Sequence, residues 1–174
     1  MEYYDAAIGM QIDASTEKLL GFRKIFVAGK DFKLVDMDLG KEDPKNSIAM
    51  GKTSLGLLKA SRRLAKGIIP VEMEVDKRVV ESIKENESML LIPLNRIVST
   101  YGIVRARNIR AASKVLEYAL KRRVSVGFIT MASSETQLMS FMQLIELAKL
   151  IGAPEDVARA GISEINERIG EATP

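Results

Sequence analysis

The feature of this chain that most limits its fold is the alternation of short apolar runs with longer stretches of helical periodicity. The apolar runs are rich in Ile, Val, Leu and Met, and several lack the strict apolar–polar alternation of a half-exposed strand. Strands of this kind are typical of a parallel sheet that is covered on both faces. Six runs are therefore predicted as strands: residues 3–8, 24–28, 33–37, 68–75, 88–93 and 124–130.

Between and after these runs, apolar residues recur at helical spacing. The predicted helices cover residues 16–22, 47–66, 77–87, 104–123, 134–150, 154–160 and 163–169. Strand–helix alternation predicts an α/β fold, and a length of 174 residues suits one domain over residues 1–174. Six or seven β–α units fit an open doubly wound sheet or a reduced barrel, because a full eight-unit barrel usually needs more than about 200 residues.

Two stretches concentrate the positive charge of the chain. Residues 103–123 contain seven bases and a single acid, Glu117, whereas residues 44–67 contain six bases and no acid. Each stretch therefore carries a net charge of +6, although the whole chain carries only +3. The remainder of the chain is net negative, so the basicity is confined to these two segments.

On helices, the cations of both stretches align in rows opposite an apolar side. The first row spans an arc of about 60° and contains Arg107, Arg110, Lys114 and Lys121, and the second contains Lys52, Lys59, Arg63 and Lys66. Aligned cations without acidic neighbours repel one another, so both rows indicate a surface for a polyanion such as nucleic acid. Aromatic residues make up only 5% of the chain, so phosphate contacts are expected to outweigh base stacking.

The chain contains neither histidine nor cysteine. Ser-His and Cys-His triads, zinc sites built from nitrogen or sulfur ligands, and disulfides are therefore excluded. The first residues lack a signal-peptide pattern, and no apolar run reaches the roughly 20 residues of a membrane span. We therefore expect a cytoplasmic protein that does not bind membranes.

Paired carboxylates leave an enzymatic alternative open. Asp36 with Asp38, and Glu72 with Glu74, lie two residues apart in or beside predicted strands, so each pair points to one face. Asp5 lies in the first strand. If these strand ends met, their oxygens would suit Mg²⁺, as in a magnesium-dependent phosphoesterase.

The predicted helix at residues 134–150 is apolar around most of its circumference. Such a helix is either buried in the core or covered in part by a partner, and methionine suits adaptable contacts. Met139 and Met142 are the residues that we expect at a partner interface. A non-catalytic protein scaffold that acts through this helix is a further alternative.

The run at residues 92–163 resembles archaeal ribonuclease P protein component 3, the thirty-kilodalton subunit family. The opening Tyr3-Tyr4-Asp5 is also similar to the start of that family. The matching segments, in chain order, are Ile-Pro-Leu at 92–94, an Arg-Asn-x-Arg core at 107–110, a basic helix end at 121–123, Ala-Ser-Ser at 132–134 and an Ile-Gly turn at 151–152. The family often carries arginines where this chain has Met139 and Met142.

The resemblance implies a TIM-barrel-like α/β fold, shortened or distorted, related to the polymerase-and-histidinol-phosphatase domains. It implies a subunit of the ribonuclease P endoribonuclease that is not catalytic by itself and has no cofactor, because magnesium enters only through the catalytic RNA. The implied partners are the ribonuclease P RNA, ribonuclease P protein component 2 and, indirectly, the precursor tRNA that loses its 5′ leader.

Charge pattern and resemblance together predict an RNA-binding subunit with two basic surfaces. The predicted RNA-binding residues are Arg105, Arg107, Asn108, Arg110, Lys114, Lys121, Arg122 and Arg123 on the first surface, and Lys52, Lys59, Arg63 and Lys66 on the second.

Overall fold

The computed structural model describes residues 1–40, 42–73 and 75–170 of the chain. Within these residues, seven strands form two parallel sheets. The strands are β1 (Tyr4–Ile8), β2 (Lys24–Ala28), β3 (Leu34–Asp36), β4 (Ile48–Gly51), β5 (Gly67–Pro70), β6 (Met89–Pro93) and β7 (Val126–Ile129). One sheet pairs β1 with β2, and the other has the order β3-β4-β5-β6-β7. The predicted α/β class with parallel strands is confirmed.

Helices connect most of these strands. They are α1 (Ala14–Leu20), α2 (Ser54–Arg62), α3 (Lys77–Glu85), α4 (Asn95–Val98), α5 (Gly102–Arg122), α6 (Phe141–Leu150), α7 (Glu155–Ser163) and α8 (Ile165–Gly170). Side chains at the starts of four of them accept a hydrogen bond from a backbone N–H, which satisfies a donor that the helix leaves free: Asp13, Thr53, Asp76 and Ser140. Among the described residues, no helix combines the length and the apolar character needed to cross a membrane.

Two isolated bridges connect the two sheets. Ala7 on β1 pairs with Ala132, just beyond β7, where the Ile8 N–H donates to the Ala132 carbonyl over 2.8 Å. At the other side, Ala28 pairs with Phe32, just before β3. Because these contacts are single bridges, the described strands do not close into a continuous hydrogen-bonded barrel.

The strands are buried on both faces, as their composition predicts. On β6, Met89 and Leu91 belong to an inner cluster, whereas Leu90 and Ile92 pack against helices in an outer one. The inner cluster draws residues from both sheets and from α8: Tyr4, Ala6, Phe26, Phe32, Ile48, Ile69, Met89, Leu91, Ile129, Met131, Ile165 and Ile169. One apolar core is thus enclosed between the two sheets, and each fully buried aliphatic side chain in it stabilises the fold by roughly 1.5–3 kcal/mol.

The single helix predicted at residues 47–66 is wrong. Residues 48–51 form β4, which pairs with both β3 and β5, and α2 begins only at Ser54. The helical periodicity of this segment was misleading because two neighbouring strands provide hydrogen-bond partners for it. Thr53 then starts the helix by accepting a hydrogen bond from the Gly56 N–H over 3.2 Å.

The single helix predicted at residues 134–150 is also wrong. A short 3-10 helix covers Glu135–Gln137, the chain then extends, and α6 begins at Phe141. Ser140 and Gln143 form a capping box, in which each side chain bonds to the backbone N–H of the other residue. This box fixes the start of α6 seven residues later than predicted.

Candidate nucleic-acid interface

Helix α5 is the element that carries the first predicted surface. It is 21 residues long, and its core face is formed by Ala112, Val115, Leu116 and Ala119, all of them buried. The helix ends at Arg123, which adopts a left-handed backbone conformation with φ 56° and donates its N–H to α5 carbonyls. The core face orients the opposite side of the helix towards solvent.

Three cations occupy this solvent side: Arg107, Arg110 and Lys114, which we call the α5 basic row. All three are exposed, and they span about 10 Å along the helix. Within the part of the chain that the structure describes, none of the three forms an ion pair or a hydrogen bond. The row therefore presents three uncompensated positive charges to an incoming anion.

Two residues of the first predicted surface instead hold α4 against α5. The Arg105 guanidinium donates to the carbonyls of Thr100 (2.6 Å) and Val98 (3.1 Å) and lies over the Tyr101 ring. The Asn108 amide donates to the Arg96 carbonyl over 3.2 Å. The structure does not bring Arg105 and Asn108 into the α5 basic row, and their contact with RNA stays a prediction.

The cations at the end of α5 are in part paired with acids. Lys121 lies 2.6 Å from Glu117, and Arg122 lies 3.3 Å from Glu81. These pairs are solvent-exposed, so they are weak and open readily. Arg123 is exposed at the helix end. Apart from Arg105 and Asn108, the predicted surface thus divides into the α5 basic row, which has no ion pair among the described residues, and a partly paired cluster at the C-terminal end of the helix.

The second predicted row does not form a single stripe. Its prediction depended on one helix over residues 47–66, which the structure does not contain. Lys52 lies in the turn after β4, where its backbone N–H donates to Asp38 over 2.8 Å. Lys59 lies on α2, Arg63 caps the end of α2, and Lys66 follows it, immediately before β5. Because α2 is nine residues long, Lys52 and Lys66 are separated by about 14 Å of helix.

A cleft of about 690 Å³ adjoins the α5 basic row. Its lining comes from α5, from the start of α3 and the loop before it, and from the first residue of α2, Ser54. Lys77 adds a fourth cation, and Tyr118 lies 5.9 Å from the Lys77 ammonium, measured to the ring centroid. Lys77 is not among the predicted RNA-binding residues, although its place directly after the helix cap Asp76 marks it as a residue of the first turn of α3.

Asp76 is the one carboxylate among the described residues that line the cleft, and it is already engaged. It accepts hydrogen bonds from the Arg78 backbone N–H (2.9 Å) and from the Arg78 guanidinium (2.8 Å). These bonds to Arg78 hold the pKa of Asp76 below its ordinary value, so the carboxylate stays charged and paired at neutral pH. The described residues that line the cleft therefore carry a net positive charge.

The candidate metal ligands are dispersed. Asp38 bonds to the Lys52 N–H, and Glu72 forms a 3.1 Å ion pair with Arg96. Asp36 accepts a hydrogen bond from the backbone of Asp38. In the described ranges, no three acidic residues come together as a metal-binding group. The predicted candidate Glu74 lies outside the described residues.

Asp5, the remaining carboxylate candidate, is fully buried. Its Oδ1 accepts a hydrogen bond from the Thr130 N–H over 2.7 Å, and its Oδ2 accepts one from the Thr130 hydroxyl over 2.5 Å. Burial raises the pKa of Asp5 to about 6, while the bonds from Thr130 oppose that rise. The side chain links β1 to the end of β7, which is a structural role.

The two predicted interface methionines have different environments. Met139 is 5% exposed and packs in the outer cluster, so it belongs to the core and not to a docking surface. The late start of α6 is the reason, because Met139 precedes the helix cap and turns inwards. Met142 lies on α6 and is 47% exposed, so it remains available to a partner.

No protein-family model and no curated protein matches this chain. A cryo-EM structure of archaeal ribonuclease P with mature tRNA contains a similar chain, with a TM-score of 0.62 and 14% identity. The likeness covers 97% of this chain and 80% of that one.

Crystal structures of hydrolases share part of the fold. A prolidase complexed with N-methylphosphonate-L-proline aligns with a TM-score of 0.55 and 13% identity over 71% of this chain, and A. niger ochratoxinase aligns with 0.53 and 18% over 74%. The chain spans only about a third of their lengths, 33% and 32%. At such identities these likenesses, like that to the ribonuclease P structure, show a common fold alone.

Proposed function

We propose that this protein is an RNA-binding subunit of ribonuclease P, which assists the catalytic RNA in removing the 5′ leader of precursor tRNA. The observation that carries the proposal is the α5 basic row, exposed and without acidic partners among the described residues. The fold supports it, because nearly the whole chain aligns with a chain in the archaeal ribonuclease P structure. The resemblance of residues 92–163 to protein component 3 supports it independently.

The physical basis of RNA binding is counterion release. Each phosphate that a cation neutralises frees condensed counterions, so affinity falls steeply as salt concentration rises. Arg107 and Arg110 suit this role because a guanidinium binds phosphate oxygens in bidentate fashion. The protein supplies binding surface, and the catalytic RNA with its own Mg²⁺ supplies the chemistry.

The proposed assembly follows from the same family resemblance. The ribonuclease P RNA is the direct partner, protein component 2 is the protein partner, and precursor tRNA is contacted indirectly. We further propose that the two sheets act as one distorted barrel, since they share the inner cluster and meet at two bridges. The barrel then serves as a scaffold that orients α5 outwards.

Binding to a ribonuclease P RNA transcript across a salt series tests the proposal. Replacing both Arg107 and Arg110 by Ala is expected to weaken binding and to reduce the log–log salt slope by about 2, roughly one unit per lost phosphate contact. Lys18→Ala with Lys30→Ala is a matched control, because both lysines are exposed and lie on α1 and after β2. Equal slopes and affinities for all three proteins would remove α5 from the interface.

A further inference from the structure

The cleft beside α5 combines two kinds of surface. Four exposed cations form its rim: Lys77, Arg107, Arg110 and Lys114. Buried and half-buried apolar side chains form its floor: Met73, Val75, Val80, Ala111 and Val115. A ligand that satisfies both surfaces has a negative charge at the rim and a flat uncharged part on the floor. The volume of about 690 Å³ lies within the range of about 300–1,000 Å³ that small-molecule sites occupy.

A regular RNA duplex satisfies only the rim. Its bases are stacked and paired, so phosphates, sugars and base edges reach the protein but no base face does, and the apolar floor stays uncovered. An unpaired nucleotide carries its base and its phosphate within a few bonds of each other. A base that is turned out of the stack can therefore move from water onto the apolar floor of the cleft, while its phosphate stays among the rim cations.

Tyr118 limits how the base is held. Its ring is approached by the Lys77 ammonium at 5.9 Å and by the Arg122 guanidinium at 5.4 Å, measured to the ring centroid. Its hydroxyl donates to Glu81 over 3.3 Å. The ring is thus already engaged, and the base is expected on the aliphatic floor between Ala111 and Val115.

We propose that this cleft receives one unpaired nucleotide, with its phosphate among the rim cations and its base on the apolar floor. The inference rests on the proposed RNA-binding function and refines it, because it names which feature of an RNA the α5 surface selects. The expected target is a helix interrupted by a bulged or looped-out nucleotide, and not a continuous duplex.

Two RNA hairpins test this inference directly. One has a fully paired stem, and the other is identical except for a single bulged 2-aminopurine nucleotide. The wild-type protein is expected to bind the bulged hairpin at least about fivefold more tightly, with a change in 2-aminopurine fluorescence as the base enters the cleft. A titration with 5′-AMP, followed by the NMR signals of the Ala111 and Val115 methyl groups, shows whether a free nucleotide also binds.

A variant that fills the apolar floor of the cleft tests the contribution of the floor separately from that of the rim cations. Ala111→Phe is expected to abolish the preference for the bulged hairpin and to retain the affinity and salt slope for the paired one. Ala106→Phe is the matched control, because Ala106 is exposed on the same helix and is not part of the cleft lining. This control is expected to keep the preference, which excludes a general effect of a new aromatic side chain.

The outcomes separate this inference from the proposed function. Equal binding of both hairpins with a steep salt slope would overturn the nucleotide cleft and leave RNA binding intact. Loss of the preference in both Phe variants would also overturn it. If neither hairpin binds but 5′-AMP shifts the two methyl signals, the cleft is supported and the RNA-binding function fails. If no probe binds, both fail.

Discussion

Asp5 shows how a single buried charge connects distant parts of the chain. Its carboxylate bonds to the backbone and the side chain of Thr130, 125 residues further along the sequence. These bonds lie where the ladder between β1 and the end of β7 is reduced to one bridge. Asp5 was a predicted magnesium ligand, because nothing near it in the sequence reveals that its partner is Thr130.

The raised pKa of Asp5 predicts a pH dependence of stability. The pKa is about 6 in the folded protein against an ordinary 3.8, so between these values the folded state binds the proton more tightly than the unfolded state. The free energy of unfolding contributed by Asp5 is therefore largest below about pH 4 and falls by about 3 kcal/mol in total as the pH rises through 6 to about 7. The Asp5→Asn variant should not show this pH-dependent loss of stability.

Urea unfolding at a series of pH values measures the effect. The stability of wild type minus that of Asp5→Asn should decrease between pH 4 and 6 and become constant above about pH 7. Asp156→Asn is the control, since Asp156 is exposed on α7, and its curve should follow wild type. Curves for wild type and Asp5→Asn that stay parallel throughout would contradict the prediction.

At the scale of elements, two helix starts decide where the predicted interface residues lie. Ser140 and Gln143 have the Ser-x-x-Gln spacing of a capping box, and Thr53 precedes α2 as its cap, so both starts carry a local signal in the sequence. The predicted helices followed the apolar periodicity instead, and they therefore began before these caps. The tertiary pairing of β4 with β3 and β5 had no such local signal.

The late start of α6 predicts effects of very different size on stability for two methionines three residues apart. Met139→Ala should lower the free energy of unfolding by about 2–5 kcal/mol, because it leaves a cavity in the outer cluster. Met142→Ala should change it by less than about 0.5 kcal/mol, because that side chain is 47% exposed. Chemical denaturation of both variants measures the difference, and similar losses would mean that Met142 is also packed.

At the scale of the molecule, the sequence predicted the α/β class and strands buried on both faces. It did not predict how the sheets meet, because that depends on contacts between residues such as Ala7 and Ala132. The contribution of α8 to the inner cluster was equally inaccessible, since Ile165 and Ile169 have ordinary helical spacing and meet residues of β1.

A shared inner cluster predicts that the two sheets unfold together. Ile165→Ala should lower the free energy of unfolding by about 2–5 kcal/mol and keep a single transition, because Ile165 is fully buried in that cluster. Asn166→Ala, on the exposed side of α8, is the control and should have little effect. Circular dichroism in the far and near ultraviolet measures the transition, and two separate midpoints would show that the sheets are independent.

The concentration of positive charge on α5 also affects the rate at which the protein would associate with a polyanion such as RNA. Residues 103–123 carry a net charge of +6 although the whole chain carries only +3, so α5 is more positive than the net charge of the protein indicates. A polyanion therefore attracts α5 over a distance before any contact forms. If the proposed nucleotide cleft is correct, salt is expected to slow association with RNA, and the apolar floor of the cleft is expected to lengthen the residence time.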